Sequence, residues 1–151
     1  RGRGSGRLRR RALVIVCDTS GLIAFFDAGD RNHASVAEVI ESDPGPFLVS
    51  PFVLAELDYL VQTRRGIQAE LAMLAELPGG AWQIASMDAA DVRSATDVIA
   101  KYDDLGIGLT DASLVVIAQH HRADRLLTLD RRHFPAVRQL HGKPFTVLPA
   151  M

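Results

Sequence analysis

The sequence is poor in the residues that would place it in several common classes. It has one cysteine, Cys17, among 151 residues. That excludes a disulfide framework and a cysteine-rich zinc site, and points to a reducing, cytoplasmic setting. No stretch approaches the roughly 18 apolar residues of a membrane span. The run Ala12 to Cys17 follows a basic segment, as a secretory leader would. It is interrupted by Asp18 after six residues, however, and no small-residue cleavage site follows. There is no G-x-x-x-x-G-K-[ST], which excludes a P-loop nucleotide hydrolase, and no glycine fingerprint after the first apolar run, which excludes a dinucleotide-binding dehydrogenase.

What is present fits one domain with a real core: 48% of residues are apolar and 23% charged. The net charge of −1 hides an asymmetry. Residues 1–11, "RGRGSGRLRRR", hold six of the seventeen basic groups and no acid; the remainder carries eleven basic against eighteen acidic groups, a net of −7. Residues 1–11 read as a basic, flexible arm that cannot bury a core. It is either an extension without a role or a segment that holds polyanions by charge alone. Residues 12–151 form the predicted domain.

Along that domain short apolar runs alternate with helical patterns. Strands are expected at Ala12–Cys17, at "FLVS", "AWQIASM" and "RLLTL", and at "PFTVL" near the end. Helices are expected over "GLIAFFDAG", capped by Asp18-Thr19-Ser20 and ending near Gly29, over "NHASVAEVIESD", from Pro51 to the stop at Gly66, over "IQAELAMLAELPGG" with its own stop signal, after Asp88, and over "TDASLVVIAQHHRAD". The alternation with short connections predicts an α/β/α sandwich around a central parallel sheet of four or five strands. Ligands of such sheets gather at the carboxyl ends of the strands.

Four carboxylates each interrupt an apolar context. Asp18 ends the first strand in "LVIVCDTSGLIAFFD"; Glu56 borders the inner stripe of "VLAELDYLV"; Asp111 opens the apolar helix; Asp130 ends "RLLTLD". Singly, the three aspartates are adequate helix caps or first-turn acids, worth about 1 kcal/mol each. Together at one sheet edge they would repel, and a divalent cation removes the conflict. Oxygen ligands without cysteine or an obvious histidine partner indicate magnesium or manganese, one ion or two. His33, His133 and His141 have no partner at ligand spacing, and the rings of His120 and His121 diverge by about 100° on a helix. Asp27, Asp30 and Asp58 read as surface charges, and Asp103-Asp104 as a solvated loop.

The blocks "IVCDTSGLIAFFD", "SPFVLAELDYLV", "GLTDASLVVIA" and "LLTLDRRHF", in this order, resemble the PIN-domain family, and within it the VapC-type toxins of bacterial toxin–antitoxin pairs. The resemblance runs from about Leu13 to Leu148 and leaves the arm outside. It implies a PIN-like fold and a metal-dependent endoribonuclease whose acidic site maps to Asp18, Glu56, Asp111 and Asp130, with Thr19 or Ser20 as the small hydroxyl beside it. It further implies Mg2+ or Mn2+ as cofactor, an RNA substrate, a homodimer, and a cognate small antitoxin that blocks the site. The alternative is a non-catalytic PIN-like RNA-binding or scaffold module, although all four acids are retained. A phosphatase of the haloacid-dehalogenase type needs an acid where Ser20 stands, and neither Lys101 nor Lys143 occupies its late lysine position.

An acidic body that binds RNA needs local cations. Arg31, Arg64, Arg65, Arg131 and Arg132 are the candidate phosphate contacts, with the two adjacent pairs favoured. Trp82, Phe134 and Tyr102 are candidates for base stacking, with core packing as the plainer role. The helices of residues 51 to 77 carry more apolar residues than one core needs, which leaves a groove for a second copy or an antitoxin.

Overall fold

The computed structural model describes residues 13–150, so the basic arm and the first residue of the predicted domain lie outside the described residues. Five strands form one sheet: β1 (Ile15–Cys17), β2 (Phe47–Val49), β3 (Trp82–Ile84), β4 (Arg125–Leu127) and β5 (Thr146–Leu148). Every pairing is parallel, and the order is β3-β2-β1-β4-β5. The chain therefore builds outward from β1 on one side, then crosses back to build outward on the other. β1 and β4 flank the point where the order reverses, which is where an open α/β sheet leaves a crevice.

Six helices cover the sheet: α1 (Thr19–Phe26), α2 (His33–Ser42), α3 (Pro51–Arg65), α4 (Ile67–Glu76), α5 (Ala89–Lys101) and α6 (Leu109–His121). α1 packs on α2 and α3, α3 on α4, and α5 on α6. The arrangement is the α/β/α sandwich expected, with the larger of the two strand numbers. All three residues of β1 and of β2 are buried, as a two-sided cover requires. α6 is buried continuously from Ala112 to Ala118, so it lies in the interior and has no solvated stripe there. α3 buries only Val53, Leu57 and Val61, one face at a four-residue spacing. The two helices are pinned by a buried hydroxyl pair, Ser50 Oγ to Ser113 Oγ at 2.8 Å.

Local chemistry sets the helix ends. Ser50 Oγ accepts from the Phe52 N–H with Pro51 at the first helical position, and Asp88 and Asp91 form a reciprocal capping box on α5. α1 stops at Phe26, earlier than Gly29. The Asp27 carboxylate accepts the Gly29 N–H at 3.0 Å and turns the chain out of the helix. α6 stops at His121, three residues early. Arg122 takes a left-handed conformation (φ 51°), and the Ala123 N–H closes on the Ala118 carbonyl at 2.9 Å.

The three aromatic candidates for base stacking pack inward. Trp82 lies against Phe25, Phe26 and Phe47, with ring centroids 5.7, 6.0 and 5.2 Å away. Phe134 is buried, and the Tyr102 hydroxyl accepts from the Arg138 N–H at 3.0 Å. Packing, the plainer of the two roles, describes all three.

α1 meets the sheet at Gly21. A Cβ there would stand 2.9 Å from Leu127 Cγ and 3.0 Å from the Leu127 carbonyl oxygen. That oxygen also accepts the Asp18 N–H at 2.9 Å. Gly21→Ala is expected to lower stability by about 1–3 kcal/mol through overpacking, seen as a lower Tm in thermal denaturation. An unchanged Tm would mean that α1 can slide off β4 at no cost.

Candidate active site

Asp18 leaves the end of β1 and Asp130 lies just past β4, on either side of the reversal point. Asp111 enters from the first turn of α6 and Glu56 from the middle of α3. All four line one open cleft of about 320 Å³, together with Thr19, Ser20 and Arg64. Residues 112 positions apart in sequence thus share one depression, because the sheet order places β4 beside β1.

Asp18 is 5% exposed, and its carboxylate is held from three directions. Oδ1 accepts the Thr19 N–H at 2.8 Å and so caps α1. Oδ2 accepts the Ser20 hydroxyl at 3.0 Å and the Thr128 hydroxyl at 2.7 Å. The same hydroxyls reach across to the other strand end: Ser20 Oγ accepts the Leu129 N–H at 2.9 Å, and Thr128 Oγ1 accepts the Asp130 N–H at 3.0 Å. Asp18 and Asp130 are therefore fixed relative to each other by a small web of hydroxyls. Thr128 belongs to this web and was not among the sequence candidates; its only signal is a hydroxyl residue within the apolar run "LLTL".

The carboxylates divide electrostatically. Burial pushes Asp18 above the usual carboxylate range, opposed by the Thr128, Ser20 and Thr19 hydrogen bonds. Asp111 is pushed up to about 6 by burial, then by the charges of Asp18 and Asp130, with Glu56 adding less and His133 opposing. Burial also acts on Asp130, but the His133 and Arg132 N–H groups and the His133 ring hold it below its ordinary value. Asp111 is the member that bears the unrelieved repulsion. Unlike Asp18 and Asp130, it has no hydrogen bond of its own among the described residues.

His133 corrects the sequence reading, which gave it no partner. Its Nδ1 lies 3.0 Å from Asp130 Oδ2 and 3.9 Å from Asp111 Oδ2. The Asp130-x-x-His133 spacing is visible in the sequence and that reading passes over it; Asp111 is remote in the chain, and the turn after Asp130 is what folds the ring back. The other two histidines set aside bond elsewhere, His33 to the Ala24 carbonyl and His141 to Gln139. Asp111, Asp130 and His133 each offer one ligand atom, all within 4.8 Å of one another. The donor set suits a divalent cation, which would relieve the charge conflict at Asp111.

The arginine candidates separate. Arg64 lines the cleft and sits 3.7 and 3.6 Å from Asp27 and Asp30. Arg65 is turned away and bonds Asp27 through Nε at 2.8 Å and Nη2 at 2.7 Å. Asp27 is therefore no surface charge: it is buried, and although burial raises its pKa, the Gly29 N–H and Arg65 bring it below the ordinary value. Arg131 donates to the Pro149 carbonyl at 2.6 Å, while Arg132 is exposed next to Asp130. Arg31 is exposed.

The raised Asp111 pKa fixes a sign. Its protonated form suits the folded state, so its contribution is fully present below the unfolded value near 4 and is lost as pH rises through about 6. In chelator, Asp111→Asn is expected to match the parent below about pH 4 and to exceed it at about pH 7.5 by on the order of 1 kcal/mol, given that the group is part-exposed. Denaturant melts across this range measure the gap. A gap that closes as pH rises would contradict the electrostatic account.

The comparisons with known proteins agree with this geometry. The PIN domain family model matches residues 15–140. The chain is 51% identical over 135 residues to Ribonuclease VapC26 of Mycobacterium tuberculosis, covering 89% of this chain and 100% of that protein. Among solved structures, VapC20 of the same organism, described as a sarcin–ricin loop cleaving toxin, superposes with a TM-score of 0.72 at 23% identity over 78% of this chain and 90% of that one. A toxin–antitoxin complex from Klebsiella pneumoniae gives 0.63 at 20% identity, covering 83% and 93%. VapBC2 from Rickettsia felis, bound to a DNA fragment from its promoter, gives 0.64 at 17%, covering 89% and 96%. These last three carry the fold; the family pattern and the full-length identity carry the kinship, and by both the chain belongs to the PIN-domain family, in its VapC branch.

Proposed function

We propose that this cleft is the centre of a divalent-cation-dependent endoribonuclease and that the chain is a VapC-type toxin restrained by a small cognate antitoxin. The observation that carries the reading is the meeting of Asp18, Glu56, Asp111 and Asp130 in one depression, in a chain 51% identical over its relative's full length to a protein named as a ribonuclease. Asp18 and Asp111 would be the principal ligands of Mg2+ or Mn2+, with Glu56 and Asp130 completing the set or holding a second ion. When bound, such an ion supplies Lewis acidity and positive charge to a phosphodiester and to the water that attacks it.

The chain's own residues do the rest. The Ser20–Thr128 web keeps the Asp18 carboxylate from rotating, so its free lone pairs face one direction. Ser20 is fully engaged there and acts on the carboxylate and not on a phosphate. Arg64, at the cleft wall, and exposed Arg132 are the side chains best placed to take phosphate oxygens. Arg65 and Arg131, already bonded to Asp27 and the Pro149 carbonyl, shape the wall. Leu60 and Ile23 form the apolar side of the cleft.

The proposal extends to a homodimer and to a cytoplasmic location. Among the described residues, no helix is long and apolar enough to cross a membrane. Tyr59 on α3 and Ile67 and Leu71 on α4 are more than half exposed, at 65%, 57% and 53%, and this supports a protein partner on that side.

Purified protein is expected to cut RNA only when Mg2+ or Mn2+ is present and to stop in excess chelator. Asp18→Asn combined with Asp111→Asn should lower the rate by about 100-fold or more. It should also abolish the rise in Tm that the cation gives the parent protein. Cutting that persists in chelator, or a cation-induced Tm rise that survives the double substitution, would overturn the assignment. RNA binding without cutting under every cation would leave a non-catalytic module as the better description.

A further inference from the structure

His133 is placed by its neighbour. Asp130 Oδ1 accepts the Arg132 N–H at 2.9 Å and the His133 N–H at 3.1 Å, closing a turn. That turn brings the imidazole back over the second carboxylate oxygen, Nδ1 to Oδ2 at 3.0 Å. Although close, the two are not aligned as a hydrogen bond: Nδ1 is buried and has no hydrogen-bond partner among the described residues. A buried polar atom in that state calls for an occupant. His133 does not itself line the cleft but stands against two residues that do, Asp111 and Asp130, and a second atom, on the cleft wall, is in the same condition. Thr19 is 4% exposed and lines the cleft, and its Oγ1 is buried with no partner among the described residues.

The spacing of the donors fits a small divalent cation. On an octahedral ion with bonds of about 2.0–2.1 Å, adjacent ligand atoms stand about 3.0 Å apart and opposite ones about 4.2 Å. Nδ1 lies 3.0 Å from Asp130 Oδ2 and 3.9 Å from Asp111 Oδ2, within that span on both counts. A nitrogen donor among oxygens favours manganese over magnesium, which takes oxygen almost alone. We infer that His133 Nδ1 is a direct ligand of the cation in this cleft, beside Asp111 and Asp130, and that it turns the site's preference toward Mn2+. The inference rests on the reading of the cleft as a cation site. The competing role for His133 is a protonated counter-ion to Asp130, which forms no bond to a metal.

Pulsed electron paramagnetic resonance of the full chain loaded with one equivalent of Mn2+ separates the two. The parent protein is expected to show 14N modulation from a directly bound imidazole. His133→Gln should lose it, and His120→Gln, which alters the histidine paired with Asp91 at 2.6 Å, should keep it. By calorimetric titration His133→Gln should weaken Mn2+ by tenfold or more and Mg2+ by much less. The parent spectrum does not depend on any variant folding. Mn2+ bound in the cleft and lost in Asp111→Asn, yet without 14N modulation in the parent, overturns the His133 assignment while leaving the nuclease reading intact. Equal weakening of both cations also overturns it. A parent protein that binds neither cation overturns both.

Discussion

Four carboxylates share one cleft, and burial and mutual repulsion there weigh on two of them, Asp18 and Asp111. Asp130 is relieved by backbone N–H groups and the His133 ring; Asp18 stays raised by burial although three hydrogen bonds oppose it; Asp111 has none among the described residues and is pushed up to about 6. Such an uneven distribution is what a cation site requires. Ligands that were each fully satisfied would gain little from an ion, and ligands that were all unsatisfied would force the cleft open. The hydroxyls of Ser20 and Thr128 hold the geometry, and the half-buried Asp111 stores the electrostatic free energy that a cation would release. The strain costs stability in the empty protein, a common trade at functional sites.

The capping and site roles of these aspartates coexist on different oxygens. Asp18 uses Oδ1 to start α1 and Oδ2 to accept the hydroxyl web; Asp130 uses Oδ1 to close its turn and turns Oδ2 to His133. The cap fixes the carboxylate plane, so the second oxygen is oriented without any additional side chain. This explains why strand ends followed at once by a helix or a tight turn are efficient places to build such a site. It also explains why the two readings of "VCDTS" could not be separated by inspection of the residues: the cap uses one oxygen of Asp18 and leaves the other turned to the cleft.

The alternation of short apolar runs and amphipathic stretches made the parallel sandwich legible, and the carboxylates were conspicuous because each broke an apolar run. What stayed hidden depended on contacts across the chain. The partnership of His133 with Asp111 needs the turn after Asp130 and the crossover that brings α6 beside β4, neither of which a spacing rule contains. Asp27 looked like a surface acid because nothing local reveals that Arg64 and Arg65, at the end of the second helix after it, fold onto it. The early end of α6 at His121 lacked its usual marker, since Arg122 and not glycine takes the left-handed turn. Each of the five strands lay inside a wider expected segment, because only three residues of each pair in the ladder.

The same long-range pairing bears on how an acidic body meets a polyanion. With the arm set aside, the chain carries a net of −7, so RNA is repelled on approach by most of the surface. Arg65 is committed to Asp27 by two short contacts, and Arg131 to a backbone carbonyl. Arg64 is held more loosely, at 3.6 and 3.7 Å, and stands at the cleft wall. Its two carboxylate neighbours keep it extended along that wall without fully neutralising it, which leaves it able to exchange Asp30 for a phosphate oxygen. A cation in the cleft and Arg64 beside it would then make one small positive region on a negative molecule. Under the proposed function, such a field would favour a phosphate presented at a point over the continuous rail of charge along a duplex.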